Sequence, residues 1–273
     1  MKKLMIAASA ALCATVSFAE LASANVVGYA NKAVPANTFV QAGAQFFDVA
    51  SDTLILDKVM SGLAGVDYDD AAAFTGTAPH IQVVGITGVP SKYYYLNDGW
   101  YDNGTPDGDF KPGWCDAGGN IVDLEITPGT GFWLKNAASD VQNMIGAGAV
   151  AATDSVDVKA PANVFSINAN VFPMAVNLND ASKVEFPDIV GVDYDDAAVF
   201  TGTAPHIQVV GLNGVPSKYY YLNDGWYDNG TPDGDFKAGW CDAGGNLVDL
   251  DIAVQSGFWV KATTGELTFT YKK

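Results

Sequence analysis

Arginine is absent from this sequence, and its absence narrows the range of partners. The 14 basic residues are all lysine and stand against 31 Asp and Glu, which gives a formal net charge of −17 in 273 residues. Arg is the side chain whose planar fork best matches phosphate and carboxylate groups. Its absence, together with this charge, argues against nucleic acid and against anionic membrane surfaces. The charge itself favours solubility or a cation-rich exterior.

Histidine is nearly absent as well, which leaves little material for acid–base catalysis. The two histidines, His80 and His206, each follow Ala-Pro at the start of an expected strand. A pairing with Ser91 or Ser217 can be drawn, but nothing in the spacing supports a nucleophile and its base. Pairs of carboxylates are so numerous that they point to no particular glycosidase site. We therefore predict no catalytic residues and no enzyme.

Long apolar runs are missing except at the N-terminus, which has the pattern of a secretory signal peptide. Lys2 and Lys3 precede an uncharged run of about 15 residues, short of the roughly 20 that a membrane span needs. We expect cleavage after Ala24, which removes Cys13 with the leader. Leu12 is too large for the position before a lipid-modified cysteine, so no lipid anchor is expected. The predicted location is secreted or at the cell surface, with no membrane span.

What the sequence does contain is an internal duplication at an offset of 126 residues. Residues 65–126 return as 191–252 with about six mild differences, whereas 38–64 and their counterparts differ at most positions. Two explanations of that contrast stay open: the sequence of the later part is constrained, or a recent gene conversion overwrote only that part. We predict a signal peptide over 1–24, unit 1 over 25–148 and unit 2 over 149–273. Each unit is long enough for its own core, and the small residues of 146–155 mark the junction.

The local pattern within each unit indicates short strands joined by Gly and Asp turns. Apolar or alternating runs predict strands at 81–84, 92–96, 132–135 and 267–271. One helix is expected over 54–63, with Ser51 or Asp52 as its N-cap. The predicted fold class is all-β, with one short helix per unit, in two tandem small sandwich or barrel domains.

The expected mature start, Asn25-Val26-Val27-Gly28-Tyr29, resembles that of a group of uncharacterised secreted proteins typical of verrucomicrobial and related bacteria. In that group a strand, a short helix, a Gly-Trp turn and a Pro-Gly-x-Gly-Phe segment follow. Unit 1 has Gly99-Trp100 and residues 128–132 in those places, while unit 2 replaces the Pro-Gly turn by Val254-Gln255-Ser256-Gly257. The resemblance implies export and β-architecture, and no activity.

Acidic residues crowd the Gly-rich turns of both units. The candidate metal ligands are Asp98, Asp102, Asp107, Asp109, Asp224, Asp228, Asp233 and Asp235. Calcium takes six to eight hard oxygens, which clustered Asp side chains and turn carbonyls supply. Asp and Gly also form hairpin turns, and the spacing is not that of an EF-hand loop. A calcium site and plain turn chemistry both remain open, and calcium is the one cofactor that the sequence suggests.

Aromatic residues stand at the same turns, and four of them are candidate ligand-binding residues: Trp100, Tyr101, Trp226 and Tyr227. A ring exposed beside carboxylates can stack on a sugar whose hydroxyls bind those carboxylates. Core packing is the competing explanation. The strand tyrosines at 93–95 must face both sides of a sheet, so we expect at least one to be exposed. Trp133, within Phe-Trp-Leu, is expected to be structural.

Two cysteines remain after the expected cleavage, at equivalent positions of the two units. Exported chains tend to pair their cysteines, and a Cys115–Cys241 disulfide is our leading prediction. Equivalent residues meet only near a pseudo-two-fold axis, so buried thiols and an intermolecular bond stay open as alternatives.

Together these patterns predict an exported, non-enzymatic interaction or structural protein with a duplicated acidic–aromatic loop face. The expected partners are an extracellular glycan, bound bivalently, or further copies of the chain through sheet edges. The alternative is a carbohydrate-binding module, assisted by calcium, and a secreted hydrolase ranks third.

Overall fold

The computed structural model describes residues 27–47, 54–55, 60–61, 65, 76, 78–84, 90–96, 101–102, 105–106, 113–122, 124–126, 129–192, 204–210, 216–223, 227–228, 231–232, 238–263 and 265–273. The predicted signal peptide lies outside them. No helix among these residues is long and apolar enough to cross a membrane.

The described part of each unit consists of strands and turns. The strands of unit 1 are β1 (Val27–Val34), β2 (Phe39–Gly43), β3 (Leu54–Ile55), β4 (Met60–Ser61), β5 (His80–Val84), β6 (Pro90–Leu96), β7 (Tyr101–Asp102), β8 (Thr105–Pro106), β9 (Gly113–Cys115), β10 (Glu125–Ile126), β11 (Gly131–Lys135) and β12 (Gln142–Ala149). Those of unit 2 are β13 (Ser155–Ala160), β14 (Phe165–Ala169), β15 (Val176–Asn177), β16 (Val184–Glu185), β17 (His206–Val210), β18 (Pro216–Leu222), β19 (Tyr227–Asp228), β20 (Thr231–Pro232), β21 (Gly239–Cys241), β22 (Asp251–Ile252), β23 (Gly257–Lys261) and β24 (Leu267–Lys272).

The same two main sheets form in each unit, and their ladders are antiparallel. In unit 1 a three-stranded sheet has the order β1-β12-β4, and a five-stranded sheet has the order β2-β11-β5-β6-β9. Unit 2 repeats them as β13-β24-β16 and β14-β23-β17-β18-β21. Four short pairs complete the described pattern: β3 with β10, β7 with β8, β15 with β22 and β19 with β20.

The core of each unit lies between its two main sheets, which gives a β-sandwich-type arrangement. In unit 1, Val34 and Met144 from the three-stranded sheet share one apolar cluster with Ile81, Phe132 and Leu134 from the five-stranded sheet. Side chains alternate across a strand, so the residues between these core positions on β11 face the opposite side. The alternation that predicted the strands therefore also decides which side chains are left outside the core.

The helix expected over 54–63 is wrong, because the described residues of this segment are strands. Leu54 and Ile55 pair with Ile126 and Glu125, and Met60 pairs with Gly146. A helix of about ten residues is only marginally stable on its own, whereas these strand pairings provide hydrogen-bond partners for the backbone groups of the segment. Met60, one of the apolar residues whose spacing suggested a helical face, lies instead on a short strand.

In unit 2 the corresponding segment is shaped by Asn and Asp side chains. The Asn177 side-chain oxygen accepts the Asn179 amide at 2.8 Å, and the Asp180 carboxylate accepts the Ser182 amide at 2.9 Å. Such side-chain bonds compete with helix formation and stabilise turns. Leu54 and Val176 occupy equivalent pairing positions although they are not 126 residues apart, so the two units also differ in length here.

The junction between the units is shorter than the predicted 146–155. Gly146 and the three residues after it belong to β12, which ends at Ala149, and β13 begins at Ser155. Residues 150–154 therefore connect the last strand of the first ladder, β1–β12, to the first strand of the second, β13–β24.

Candidate ligand-binding face

The two units contact each other through backbone bonds that are related by a pseudo-two-fold axis. The Gly43 amide donates to the Gln255 carbonyl at 3.1 Å, and the Ala169 amide donates to the Gly129 carbonyl at 2.6 Å. Gly43 and Ala169 are equivalent positions of the two units, and so are Gly129 and Gln255. The contact is therefore isologous, with the same patch used twice.

Two pairs of equivalent residues meet on the axis itself. An ideal Cβ built on Gly43 would overlap the Cβ of Ala169, so the backbones approach closely only because one of the two positions lacks a side chain. The Trp133 and Trp259 rings meet with their centroids 6.1 Å apart, at an interplanar angle of 58°. The axis thus brings together two tryptophans that belong to different units.

A row of four aromatic rings extends from this tryptophan pair into both units. Phe39 meets Trp133 edge to face at a centroid distance of 6.2 Å, and Phe165 meets Trp259 at 5.6 Å. Phe39 is 39% exposed and Phe165 is 36% exposed. We call these four rings, with Lys135 and Lys261, the paired-tryptophan face.

Strand register places the row on the side of each sheet that faces away from the core. Trp133 pairs with Gln41 on one neighbouring strand and with Gln82 on the other. Phe132 and Leu134, on either side of Trp133, are buried in the core of unit 1. Trp133 is half-buried, and its contact with Trp259 supplies the packing that its own core does not.

Lysines flank the aromatic row in both units. Lys135 Nζ lies 5.0 Å from the centroid of the Phe39 ring, and Lys261 Nζ lies 5.3 Å from that of Phe165, so each pair forms a cation–π contact. Lys92 and Lys218 are exposed and pair across their strands with Gln82 and Gln208, the positions adjacent to the tryptophans.

Two buried histidines lie at the margin of this face. His80 Nδ1 is 2.7 Å from the Ala78 carbonyl oxygen, and its Nε2 is 2.9 Å from Gln82 Nε2. Burial lowers the pKa of His80, the Ala78 bond opposes that shift, and Lys92 and Lys135 lower it further. His206 has the equivalent contacts and the same direction of shift. A neutral ring that donates to the carbonyl and accepts from the amide satisfies both bonds.

The two ends of the contact between the units differ in chemistry. Gly129 lies against Val158, where an ideal Cβ would overlap the valine side chain. At the other end Gln255 stands in place of Gly129, and Lys32 Nζ donates to Ser256 Oγ at 2.6 Å. Burial lowers the pKa of Lys32. The pseudo-symmetry is therefore broken where unit 2 departs from the Pro-Gly turn.

Most of the residues predicted to bind a ligand or a metal lie outside the described residues. These are Trp100 and Trp226, with Asp98, Asp107, Asp109, Asp224, Asp233 and Asp235. The backbones of Tyr101 and Tyr227 pair with Pro106 and Pro232, and those of Asp102 and Asp228 pair with Thr105 and Thr231. These pairings agree with hairpins at both turns, and the acidic–aromatic loop face stays a prediction.

Calcium binding likewise stays a prediction, since most of its candidate ligands are not described. Within the described ranges no group of three or more His, Cys, Asp or Glu side chains is placed to hold a metal ion. Several described acidic side chains stabilise turns, and Asp116 is an example: it accepts the Gly118 amide at 2.8 Å and the Asn120 amide at 3.0 Å. Its bonds with the Asn120 side chain and backbone lower its pKa.

The predicted Cys115–Cys241 disulfide is not formed, because both cysteines are buried free thiols. Cys115 Sγ donates to the Tyr94 carbonyl at 3.3 Å, and burial raises the pKa of each thiol to about 11. They lie on β9 and β21, at the far ends of the five-stranded sheets from the strands that meet at the axis. Three strand spacings separate β9 from β11, about 14 Å, whereas bonded cysteines need Cα atoms within about 7 Å.

Sequence reasoning missed the paired-tryptophan face, although part of the signal was present. Trp133 and Lys135 alternate with Phe132 and Leu134, which places them on the face opposite the core. The strand tyrosines show the same alternation: Tyr94 is fully buried, whereas Tyr93 and Tyr95 are half-buried. The expectation that at least one of them is exposed is therefore wrong.

Comparison with known protein families, curated proteins and solved structures finds no match for this chain.

Proposed function

We propose that this protein is an exported, non-enzymatic binding protein that holds an extracellular glycan on the paired-tryptophan face. The observation that carries the proposal is the Trp133–Trp259 contact, because neither unit can form it alone. Aromatic rings whose role is core packing lie inside one unit, whereas these two tryptophans meet between the units, on the side of each sheet that faces away from its core. A contiguous row of partly exposed rings is typical of a recognition surface.

The chemistry of the row suits a sugar chain. One side of a pyranose ring presents C–H groups that pack on an aromatic ring, while its hydroxyls seek hydrogen bonds at the rim. Gln82 and Gln208 stand beside the two tryptophans in the same strand register, and Lys135 and Lys261 lie at the two ends of the row. Amide and ammonium groups are suitable partners for hydroxyls.

The pseudo-two-fold arrangement favours a polymer over a single small molecule. Each unit offers the same Phe, Trp and Lys positions, so one chain crossing the axis meets the same surroundings twice. A polysaccharide has a direction that a two-fold axis reverses, but stacking on rings tolerates either direction. Two weak contacts on one chain gain affinity through effective concentration.

The described histidines and thiols support the non-enzymatic part of the proposal. His80 and His206 are each 2% exposed, and both ring nitrogens of each are engaged within the protein. Cys115 and Cys241 are fully buried, and their raised pKa keeps them protonated at neutral pH. An active base or nucleophile must instead reach its substrate.

The test is a binding assay by affinity electrophoresis and tryptophan fluorescence on the purified protein. The panel is xylan, mannan, hydroxyethylcellulose, polygalacturonate and cellulose sulfate. We expect at least one polysaccharide to bind, and we expect Trp133→Ala/Trp259→Ala to weaken that binding by about tenfold or more.

The control variant is Tyr29→Ala, which removes a 66% exposed aromatic from β1, away from the face. It should bind as the unmodified protein does, and circular dichroism should show that both variants are folded. The proposal fails if no polysaccharide in the panel binds, or if the tryptophan variant binds as well as Tyr29→Ala.

Self-association through a sheet edge is the second candidate function. β1 is the outermost strand of its three-stranded sheet, is eight residues long and carries the exposed Tyr29. Exposed edges of this length are the usual route for strand addition between copies. Sedimentation over a concentration series decides this candidate, since assembly through β1 predicts larger species that Tyr29→Lys removes.

A further inference from the structure

We infer that the ligand of the paired-tryptophan face is an anionic polysaccharide, one that carries carboxylate or sulfate groups. This inference rests on the proposed glycan-binding function and specifies its substrate class. It starts from a contrast within the molecule: the chain carries a net charge of −17, yet the charged side chains that contact the aromatic row in the described part of the chain are lysines.

Four of the chain's lysines belong to this side of the two five-stranded sheets. Lys135 and Lys261 lie over the phenylalanine rings at the ends of the row. Trp133, Gln82 and Lys92 are register partners on three successive strands, β11, β5 and β6. Lys92 is therefore two strands, about 10 Å, from the tryptophan, and Lys218 has the equivalent position in unit 2. Each tryptophan therefore has one lysine two residues along its own strand and a second lysine two strands away.

These lysines are not neutralised by the described carboxylates. The ion pairs found among the described residues are Lys159–Glu266 and Lys272–Glu185, and both involve the three-stranded side of unit 2. Lys135 Nζ instead donates to the Asn37 carbonyl at 3.3 Å, which keeps the ammonium beside the row without cancelling its charge. Its remaining donors are available to an anion.

The same four lysines also act on the buried histidines. Lys92 and Lys135 both disfavour protonation of His80, and Lys218 and Lys261 do the same at His206. The positive charge therefore reaches the floor of the face in both units. On a protein this acidic, electrostatic repulsion from the acidic surfaces would favour binding of a polyanion at this lysine-bearing face.

The experiment compares three polysaccharides that share a β-glucan backbone: neutral hydroxyethylcellulose, carboxymethylcellulose and cellulose sulfate. We expect the protein to bind one or both charged forms at least about tenfold more tightly than the neutral form, and less tightly as salt rises. The carboxymethyl and sulfate arms distinguish the two anionic groups. Lys135→Gln/Lys261→Gln should remove most of the difference between charged and neutral forms.

The matched control is Lys159→Gln/Lys272→Gln, which changes the net charge equally but lies off the face. If both double variants lose the preference for charged polysaccharides equally, the inference is overturned, because the preference would then depend on net charge and not on this face. Equal binding of neutral and charged forms that depends on Trp133 and Trp259 would also overturn it, yet leave the proposed function standing. If none of the panel binds and sedimentation shows a dimer that Lys135→Gln/Lys261→Gln dissociates, a second copy occupies the face and both proposals fail.

Discussion

At the scale of single residues, the buried histidines tie stability to pH. His80 and His206 each have a pKa below the ordinary 6.5, because burial disfavours the charged ring and two lysines add to that effect. Between the folded and unfolded pKa values the unfolded chain binds more protons. The free energy of unfolding therefore rises with pH through this window and falls on acidification.

We predict that the variant His80→Gln/His206→Gln loses this pH dependence. Urea unfolding between pH 7.5 and 5 gives the free energy of unfolding at each pH. Its slope against pH should correspond to the uptake of up to two protons in the unmodified protein and should be smaller in the variant. Carboxylates titrate mostly below this range, so they contribute little to the difference. Identical slopes in the two proteins would show that the rings are not held neutral by the fold.

Single residues also mark what sequence alone could and could not decide. That Trp133 and Lys135 face away from the core follows from alternation along one strand, whereas the contact between Trp133 and Trp259 depends on how two units pack. Nothing in a local pattern specifies that packing. For the same reason the sequence could not determine whether Cys115 and Cys241 meet.

At the scale of elements, the turn before β11 shows how one sequence difference separates the units. Gly129 has a φ of 82° and lies against Val158, whereas the equivalent Gln255 has a φ of 57°. A side chain is accommodated at Gln255 because Gly146 on β12 leaves space there, in contact range of the Gln255 side chain. The backbone conformation is thus shared while the neighbours differ.

We predict that Gly129→Ala destabilises the protein by about 2–4 kcal/mol, since it combines a left-handed residue with a methyl group forced into Val158. Denaturant unfolding measures the change. Gly265→Ala is the control, because no atom lies within 4 Å of the added Cβ and the change should stay within about 0.5 kcal/mol. A Gly129 variant as stable as the control would contradict the proposed packing.

Elements differ in how well the sequence predicted them. The strands at β5, β6, β11 and β24 were predicted because apolar alternation is a local property. The helix prediction failed at 54–63 because Leu54 and Ile55 are paired by β10, about 70 residues later in the chain. Partners that distant in sequence can override a local periodicity.

At the scale of the whole molecule, the close approach of Gly43 and Ala169 sets how the units join. We predict that Gly43→Ala destabilises the contact by about 1–3 kcal/mol, because two methyl groups would then overlap on the axis. The exchange Gly43→Ala/Ala169→Gly leaves a single methyl group and should recover most of the loss. Unfolding followed by tryptophan fluorescence measures both.

The exchange also serves as the control for strand propensity, because it keeps the composition of β2 and β14 together unchanged. If the exchanged protein were as unstable as Gly43→Ala alone, the loss would come from the strand itself. The contact between the units would then not be the cause.

The isologous contact has a consequence for how the protein withstands dilution. Two separate copies joined by such a patch would dissociate as their concentration falls, and a face built across the axis would be lost with them. Here one peptide chain carries both copies, and only residues 150–154 separate the last strand of one from the first strand of the other. A protein that acts outside the cell, as proposed, would thus keep both tryptophans together even when a single molecule is far from any other.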